Sequence, residues 1–358
     1  MGLLGLRGLF VLFVFRILSV VFASDSECPF VSSEGEASSS TFRIVQYNAE
    51  WLFMDYYEPM KCPGSGCTWA NETEADTHIR YVADVISTLN PDIINLCEVE
   101  GCDELSILRS RIANGNDYQI YLKKGTDTAT GQNVGLMTKW SPNKDLYRTE
   151  ERMQYPLEGS LCGYVGEAGT VGVSKHYITE YTLYGKRTLF IGLHLLAYPE
   201  DVVRCAEREA QAQIIQNYIA AFLSEGDGEE ETYNEETDDR EVIVLGDLND
   251  FDGRVLDANR NTPVSRVLDI LKGLDGTYKG KYELKTVAER IPQVERFSDW
   301  WDENADCTST ANEFSMIDSM LVTPFLMDKV KSAYVYHGYD EFCGKYNSDH
   351  YPLVVDFM

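Results

Sequence analysis

The chain has 358 residues, of which 44% are hydrophobic and 25% charged, and its formal net charge is −27. This length and composition are sufficient for a full hydrophobic core. The acidic charge excludes a general electrostatic attraction to polyanions, and the lack of an internal repeat or heptad run argues against a solenoid or a coiled coil.

The first 23 residues have the pattern of a secretory signal peptide. Arg7 precedes an apolar stretch at 9–15, and the apolar and small residues at 21–23 resemble a signal-peptidase site. A membrane anchor is the alternative, but Arg16 would cost about 2.5–3.5 kcal/mol in a spanning helix. The sequence therefore predicts a secreted protein, located outside the cell or in the lumen of the secretory pathway.

One domain is expected to cover the rest of the chain. Residues 24–41 are polar and predict a flexible leader, and the domain is predicted to cover 42–358. Within it, the acidic stretch 224–241 predicts a solvated or disordered insertion. Asn71 begins a glycosylation sequon, which fits an exported chain.

Nine cysteines, all beyond residue 23, are consistent with an oxidising compartment. An odd number cannot pair completely within one chain. Cys62 and Cys67 flank a Pro- and Gly-containing loop that permits a local disulfide, and Cys307 and Cys343 form a second candidate pair. Cys97 follows a buried apolar run and is predicted to stay unpaired.

Apolar runs and helical spacing predict alternating strands and helices. A strand at 42–47 is followed by a helix that opens near Thr73 and stops at Asn90, and then by a strand at 93–97. The later predicted elements are strands at 134–137, 177–184 and 187–195, a helix at 203–223, and strands at 242–245, 316–322 and 353–357.

Six short polar blocks lie at or near the ends of these strands. In chain order they are QYNAEWL (46–52), LCEVE (96–100), GLH (192–194), GDLN (246–249), MIDS (316–319) and SDH (348–350). Such carboxylates, amides and imidazoles suit a hard divalent cation beside a histidine that moves a proton, as phosphate ester hydrolysis requires.

Taken in this order, the blocks resemble the endonuclease/exonuclease/phosphatase superfamily, which has the deoxyribonuclease I-like fold. The resemblance spans residues 42–358. It implies an α/β fold, a four-layer α/β/β/α sandwich of two packed mixed β-sheets flanked by helices, with the active site at one edge of the sheets.

The metal site is expected at Glu98. Magnesium prefers few carboxylates together with water and substrate phosphate, so Glu98 would be the principal ligand, and Asn48 and Asp349 would complete or brace the shell. Mg²⁺ is the expected cofactor, with Ca²⁺ and Mn²⁺ as alternatives. A surface carboxylate after a buried strand is the competing interpretation of Glu98.

Five residues are predicted to do the chemistry. His350 and Asp318 resemble the family's histidine–carboxylate pair, in which the carboxylate fixes the ring tautomer and favours the imidazolium that contacts phosphate. His194 matches the second histidine, which would protonate the leaving oxygen or stabilise the transition state. Asp247 would orient the attacking water, and Asn249 would donate a hydrogen bond to a phosphoryl oxygen.

Three residues are predicted to bind substrate: Asn133, Lys175 and His176. A turn asparagine explains Asn133 nearly as well. Ser319 stands where nucleases of this type often carry arginine, so the resemblance implies the loss of one phosphate or base contact, and Lys175, Lys123 and Lys124 are the nearest basic candidates to replace it.

The leading functional hypothesis is a secreted, divalent-metal-dependent phosphodiesterase that acts as an endonuclease on extracellular nucleic acid. The first alternative is a sphingomyelinase-like phospholipase C, whose substrate is a phospholipid headgroup and needs no basic tract. The second is a binding protein on the same fold without catalysis. No sequence feature implies an obligate protein partner.

Overall fold

A computed structural model describes residues 27–29, 41–54, 69–225, 239–302, 306–339 and 347–358. The predicted signal peptide and most of the predicted leader and acidic insertion lie outside these ranges. Among the described helices, none combines the length and apolarity needed to cross a bilayer.

Fifteen strands lie in the described part of the chain. They are β1 (Phe42–Leu52), β2 (Ile93–Val99), β3 (Gln119–Leu122), β4 (Asn133–Thr138), β5 (Arg152–Tyr155), β6 (Gly169–Gly172), β7 (Lys175–Leu183), β8 (Lys186–His194), β9 (Arg240–Asp247), β10 (Lys285–Thr286), β11 (Asp299–Trp300), β12 (Phe314–Ser315), β13 (Asp318–Val322), β14 (Val330–Val335) and β15 (Leu353–Phe357). The α-helices are α1 (Glu72–Leu89), α2 (Cys102–Arg111), α3 (Val202–Leu223), α4 (Val267–Leu271) and α5 (Pro324–Asp328).

Two mixed sheets form the centre of the domain. The first sheet has the strand order β14-β15-β1-β2-β4-β3, and the second sheet has the order β10-β13-β9-β8-β7. Two short hairpin-like pairs, β5-β6 and β11-β12, accompany them. Parallel pairing of β1 with β2 and of β8 with β9 places the carboxyl ends of these strands at one edge.

The alternation of side chains along the strands separates three apolar layers. On β1, Ile44 packs between the two sheets, whereas Val45 packs against the α1 side. On β9, Leu245 packs between the sheets, whereas Val244 packs against α3 and α4. The predicted four-layer α/β/β/α sandwich is thus confirmed.

The first helix begins slightly earlier than the sequence predicted. Asn71, not Thr73, is the N-cap of α1, and its side-chain oxygen accepts a hydrogen bond from the Glu74 amide. The helix ends at Leu89, where Asn90 takes a left-handed conformation with φ of 45°, because asparagine tolerates that region better than most residues. The predicted stop is confirmed.

The cysteines pair over long sequence distances. Two disulfides join described residues, Cys28–Cys102 and Cys162–Cys205. Cys307 is also disulfide-bonded, whereas the other members of the predicted pairs, Cys62, Cys67 and Cys343, lie outside the described residues. Cys97 is free and buried, as predicted.

Candidate active site

The candidate residues converge because their strands end at the same edge. In the second sheet, Asp247 at the end of β9 is flanked by Asp318 of β13 on one side and by His194 of β8 on the other. All three share the inner face with apolar residues that pack between the sheets, such as Leu245 and Met320. The site is therefore built on the inner faces of the sandwich.

Glu98 reaches this inner face because the backbone of β2 departs from regular alternation. Its neighbour Leu96 packs on the helix side of the first sheet, and Glu98 would share that face in a regular strand. Instead Glu98 has a φ of 63°, and the pairing register shifts between Leu96 and Val99. Such strain in a non-glycine residue costs about 1–3 kcal/mol and often marks a functional site.

Asn48 connects the two halves of the site. Its amide nitrogen lies 3.3 Å from Glu98 Oε1, 3.0 Å from Asp247 Oδ2 and 3.4 Å from His350 Nε2. Its amide oxygen accepts a hydrogen bond from the Glu50 backbone. The Trp51 backbone N–H donates to Glu98 Oε2 at 3.0 Å. In this arrangement Asn48 braces Glu98 rather than presenting an oxygen to a metal.

His350 pairs with Asp318, as the sequence predicted. His350 Nδ1 lies 2.7 Å from Asp318 Oδ2, and both side chains are buried. Burial alone would lower the pKa of His350, but the Asp318 carboxylate, helped by Asp349 and Asp299, holds that pKa well above its usual value. The ring is therefore an imidazolium, and its Nε2–H is directed toward the Asn48 amide and the Asp247 and Asp299 carboxylates, the region hereafter called the pocket.

Asp299 is a member of the site that the sequence did not indicate. Its Oδ1 lies 3.6 Å from His350 Nε2, and its Oδ2 accepts a hydrogen bond from Ser315 at 2.8 Å. Burial raises the pKa of Asp299. A single bridge between Asp299 and His350 brings the two residues together, and no spacing rule in the sequence signals such an isolated pairing.

His194, the second histidine of the site, lies in a different electrostatic environment. His194 Nε2 lies 3.3 Å from Lys175 Nζ and 3.6 Å from Asp247 Oδ2. Burial, the Lys175 ammonium and the charge on His350 lower the pKa of His194 well below its usual value. His194 is therefore neutral. The Lys175 ammonium, which also donates to Gln132 Oε1 at 3.2 Å, supplies the cation on this side of the pocket.

The donor set can be tested for a metal. Among the described residues, no three His, Cys, Asp or Glu side chains form a group that would hold an ion by themselves. Burial and the neighbouring carboxylates raise the pKa of Asp247 to about 7 and that of Asp349 to about 7. Such closely placed carboxylates fit a hydrated Mg²⁺, which takes one or two protein carboxylates and keeps several waters.

Asn249 lies beside Asp247, but its amide is directed at the backbone. Its N–H donates to Asp247 Oδ1 at 2.9 Å, and its side-chain nitrogen donates to the Leu195 carbonyl at 3.2 Å. Asn249 has a φ of 50°, so the regular alternation that the sequence suggested for Asp247 and Asn249 does not hold. Asn249 fixes the loop after β9 against the end of β8.

Two of the three predicted substrate residues are engaged elsewhere. Asn133 accepts from the Gly125 backbone at 2.7 Å and donates to the Glu100 carbonyl at 2.8 Å, so its amide joins loops. His176 follows Lys175 on β7 and therefore faces the opposite side of the second sheet. There its Nε2 accepts a hydrogen bond from the Thr149 backbone at 2.9 Å. The structure does not bring His176 into the pocket.

Comparison with known proteins gave matches among solved structures. No protein-family model matches the chain, and no curated protein sequence matches it. D. rerio TDP2 complexed with a single-stranded DNA product is 17% identical, with a TM-score of 0.51, over 89% of this chain and 100% of that chain.

Two further matches have lower structural scores. An endonuclease/exonuclease/phosphatase from Beutenbergia cavernae is 15% identical over 89% of this chain and 71% of that chain, with a TM-score of 0.49. A mannosyl-6-phosphatase from Bacteroides thetaiotaomicron is 14% identical over 88% and 98%, also with a TM-score of 0.49. At these identities the comparison speaks to the fold alone. The D. rerio TDP2 match, together with the layered architecture, shows that the chain has the deoxyribonuclease I-like fold.

Proposed function

We propose that this protein is a secreted, divalent-metal-dependent phosphodiester hydrolase that cleaves nucleic acid strands. The observation that carries the proposal is the convergence at one edge of the sandwich. The imidazolium of His350, held by Asp318, lies next to the cluster formed by Asn48, Glu98 and Asp247. A phosphodiester needs such an arrangement, because negative charge must be stabilised on phosphate while a water is activated.

The roles follow from the charges in the pocket. Glu98 and Asp349 would hold Mg²⁺, with Ca²⁺ or Mn²⁺ as substitutes, and Asn48 would brace Glu98. The bound ion would polarise the phosphate and offset the negative charge of the pocket. His350 Nε2–H would donate to a non-bridging phosphate oxygen. Asp247 would accept a hydrogen bond from the attacking water and so orient it for in-line attack.

The leaving oxygen is assigned to the opposite side of the pocket. The lowered pKa of His194 makes its neutral ring a poor proton donor. Lys175 is 6% exposed, and its ammonium lies against His194. We therefore assign stabilisation of the leaving oxygen to Lys175, with His194 holding that ammonium in position. This division of roles modifies the sequence-based expectation that His194 itself protonates the leaving group.

Nucleic acid is the proposed substrate because a protein with the same fold, D. rerio TDP2, has been crystallised with a single-stranded DNA product. The net charge of −27 argues against tight binding of long duplexes by charge alone. Secretion is supported by the signal-like pattern of residues 1–23 and is compatible with the two disulfides. No contact in the described structure favours the phospholipid alternative.

The metal-dependent chemistry is tested with bis(p-nitrophenyl) phosphate. We expect hydrolysis that EDTA abolishes and added Mg²⁺ restores. Glu98→Gln should lower the rate about 100-fold or more, in line with general losses at metal sites. The matched control is Glu150→Gln, an exposed carboxylate on the surface, and it should match wild type. A Glu98→Gln protein as active as the control would refute the assignment.

The substrate is tested separately by incubating the protein with single-stranded DNA, duplex DNA, RNA and sphingomyelin vesicles. Each substrate is offered with Mg²⁺, Ca²⁺, Mn²⁺ or chelator. Cleavage of a nucleic acid strand, dependent on both the metal and Glu98, supports the proposal. Turnover of sphingomyelin alone would transfer the same chemistry to a lipid headgroup and overturn the nucleic acid assignment.

A further inference from the structure

A buried amide lies directly behind the pair formed by Asp318 and His350. Gln46 is on β1, on the same inner face as Asn48, and its side chain has no exposed surface. Its side-chain nitrogen donates to Asp318 Oδ1 at 2.9 Å. Since Asp318 Oδ2 accepts from His350 Nδ1 at 2.7 Å, the two oxygens of this carboxylate are held from opposite sides.

The orientation of the Gln46 amide is itself fixed. Asn95 on β2 donates from its side-chain nitrogen to Gln46 Oε1 at 2.5 Å. An ionised carboxylate only accepts hydrogen bonds, so the donors are ordered from Asn95 to Gln46 and from Gln46 to Asp318. In a buried, low-dielectric setting such an ordered series strengthens each bond and resists rotation of any one amide.

The series crosses the layer between the two sheets. Gln46 and Asn95 belong to the first sheet, whereas Asp318 belongs to the second. The crossing needs a close approach of the sheets at Gly192 on β8, because a Cβ there would overlap Asn95 Oδ1 and the Tyr177 ring. Apolar residues surround this layer, and among the described residues the Asn95 oxygen at Gly192 has no hydrogen-bond partner. The amides are therefore kept in this layer at a cost.

We propose that Gln46 is a positioning residue for catalysis: it fixes the Asp318 carboxylate, and through it the His350 ring, so that Nε2 faces the pocket. Asp318 is on β13 of the second sheet whereas His350 precedes β15 of the first. Ser298 joins their backbones, since its side chain accepts from the Asp318 N–H and its carbonyl accepts from the Tyr351 N–H, and Gln46 adds the contact that fixes the Asp318 carboxylate itself. The catalytic readout of this inference rests on the proposed function, whereas the geometric readout does not.

The kinetic test replaces the amide without changing the length of the side chain. Gln46→Met should lower kcat about 10- to 100-fold with KM within about twofold, because a misplaced group costs chemistry rather than binding. The matched control is Ile44→Val, which perturbs the same strand and the same inner layer without touching Asp318. If Gln46→Met and Ile44→Val have the same kcat, Gln46 is only structural and the proposal fails.

A second variant covers the case in which Gln46→Met does not fold, because that change leaves the Asn95 amide without its acceptor. The double variant Gln46→Met/Asn95→Leu removes both amides and should fold with the same low kcat. Asn95→Leu alone leaves Gln46 in contact with Asp318 and should lose less activity. A double variant with wild-type kcat would also overturn the proposal.

A measurement without substrate separates this inference from the proposed function. In ¹⁵N-histidine-labelled protein, the Nδ1–H resonance of His350 is identified by its loss in His350→Gln. It should appear downfield in wild type and in Ile44→Val, and in Gln46→Met it should move upfield or exchange with water. An unchanged resonance in Gln46→Met contradicts the positioning role, even if the wild-type protein turns over none of the substrates tested.

Discussion

The two sides of the pocket use the same side chain in opposite charge states. On one side, His350 faces Asp318, Asp299 and Asp349, and its pKa is held well above the usual value. On the other side, His194 faces Lys175, and burial together with that ammonium lowers its pKa well below the usual value. Burial opposes the charge of both rings and is the largest cause at His194, whereas at His350 the neighbouring carboxylates outweigh it.

This difference assigns the positive charges of the pocket to two places. On the first side the charge is on the histidine, because carboxylates surround it. On the second side the positive charge is on Lys175, and burial together with that ammonium keeps His194 neutral. A phosphodiester in the pocket would thus meet one cation at its non-bridging oxygens and another near its leaving oxygen, in addition to a bound metal.

The largest effect is expected on the His350 side. His350→Gln keeps a hydrogen-bonding side chain but removes the charge next to Asp318, so kcat should fall by about 10²–10⁴-fold. The measurement is hydrolysis of bis(p-nitrophenyl) phosphate under saturating Mg²⁺, with circular dichroism to establish folding. His337→Gln is the control, since His337 stacks on Phe297 and is not among the residues of the site.

If His350→Gln and His337→Gln had equal activity, the carboxylate-rich side would not carry catalysis. The comparison between the two sides would then lose its basis. If His194→Gln lowered kcat more than His350→Gln did, the His194 side would contribute more to catalysis than the His350 side, contrary to the proposal.

A smaller effect is expected from Lys175→Met on the other side. Loss of the ammonium should lower kcat about tenfold or more, which is typical for a charged hydrogen bond. It should also raise the pKa of His194 toward its usual value, because one of the causes that lower it is gone. The measurement is an NMR pH titration of the His194 ring, which should take up its proton at a higher pH in Lys175→Met than in wild type.

The control for this change is Lys139→Met, because Lys139 pairs with Asp92 away from the pocket. The His194 titration curves of wild type and Lys139→Met should coincide. A Lys175→Met titration curve that coincides with them as well would show that Lys175 does not lower the pKa of His194.

The order of the elements and most members of the site, though not Asp299, were predictable from local patterns. Apolar runs located nearly every long strand, and the polar residues closing them, such as Asp247 and Glu98, lie at the predicted edge. Strand alternation also argues against placing both Lys175 and His176 in the site. Lys175 and His176 are consecutive on one strand, so only one of them could face the inner layer.

The orientation of Glu98, the presence of Asp299 and the pairing of the cysteines could not be predicted, because they depend on tertiary structure. The left-handed backbone of Glu98 redirects its carboxylate from the helix side to the pocket, and no propensity scale gives φ above zero for a glutamate. Asp299 reaches His350 through one isolated bridge. The pairing of Cys28 with Cys102 closes a loop of 74 residues, and spacing alone cannot choose among so many possible pairs.

The smallest effect is expected from a substitution of His176. This residue sharpens the comparison of the two site histidines, because burial acts on it and no carboxylate contributes to its pKa shift. Burial, helped by Arg148, lowers the pKa of His176 to about 3. The unfolded chain takes up a proton on this residue near pH 6.5, whereas the folded protein does so only near pH 3. The associated stability is therefore fully present above pH 6.5 and is lost as the pH falls from there toward 3.

His176→Gln keeps an acceptor for the Thr149 N–H and removes this titration. Its free energy of unfolding, measured by urea denaturation between pH 6.5 and 4, should fall less steeply than that of wild type, by up to about 1.4 kcal/mol per pH unit. Catalytic activity at pH 7.5 should be unchanged, since the ring lies on the outer face of its sheet. Equal slopes for the two proteins would mean that His176 is protonated in the folded state, and a loss of activity at pH 7.5 would return it to the substrate-binding role that the sequence suggested.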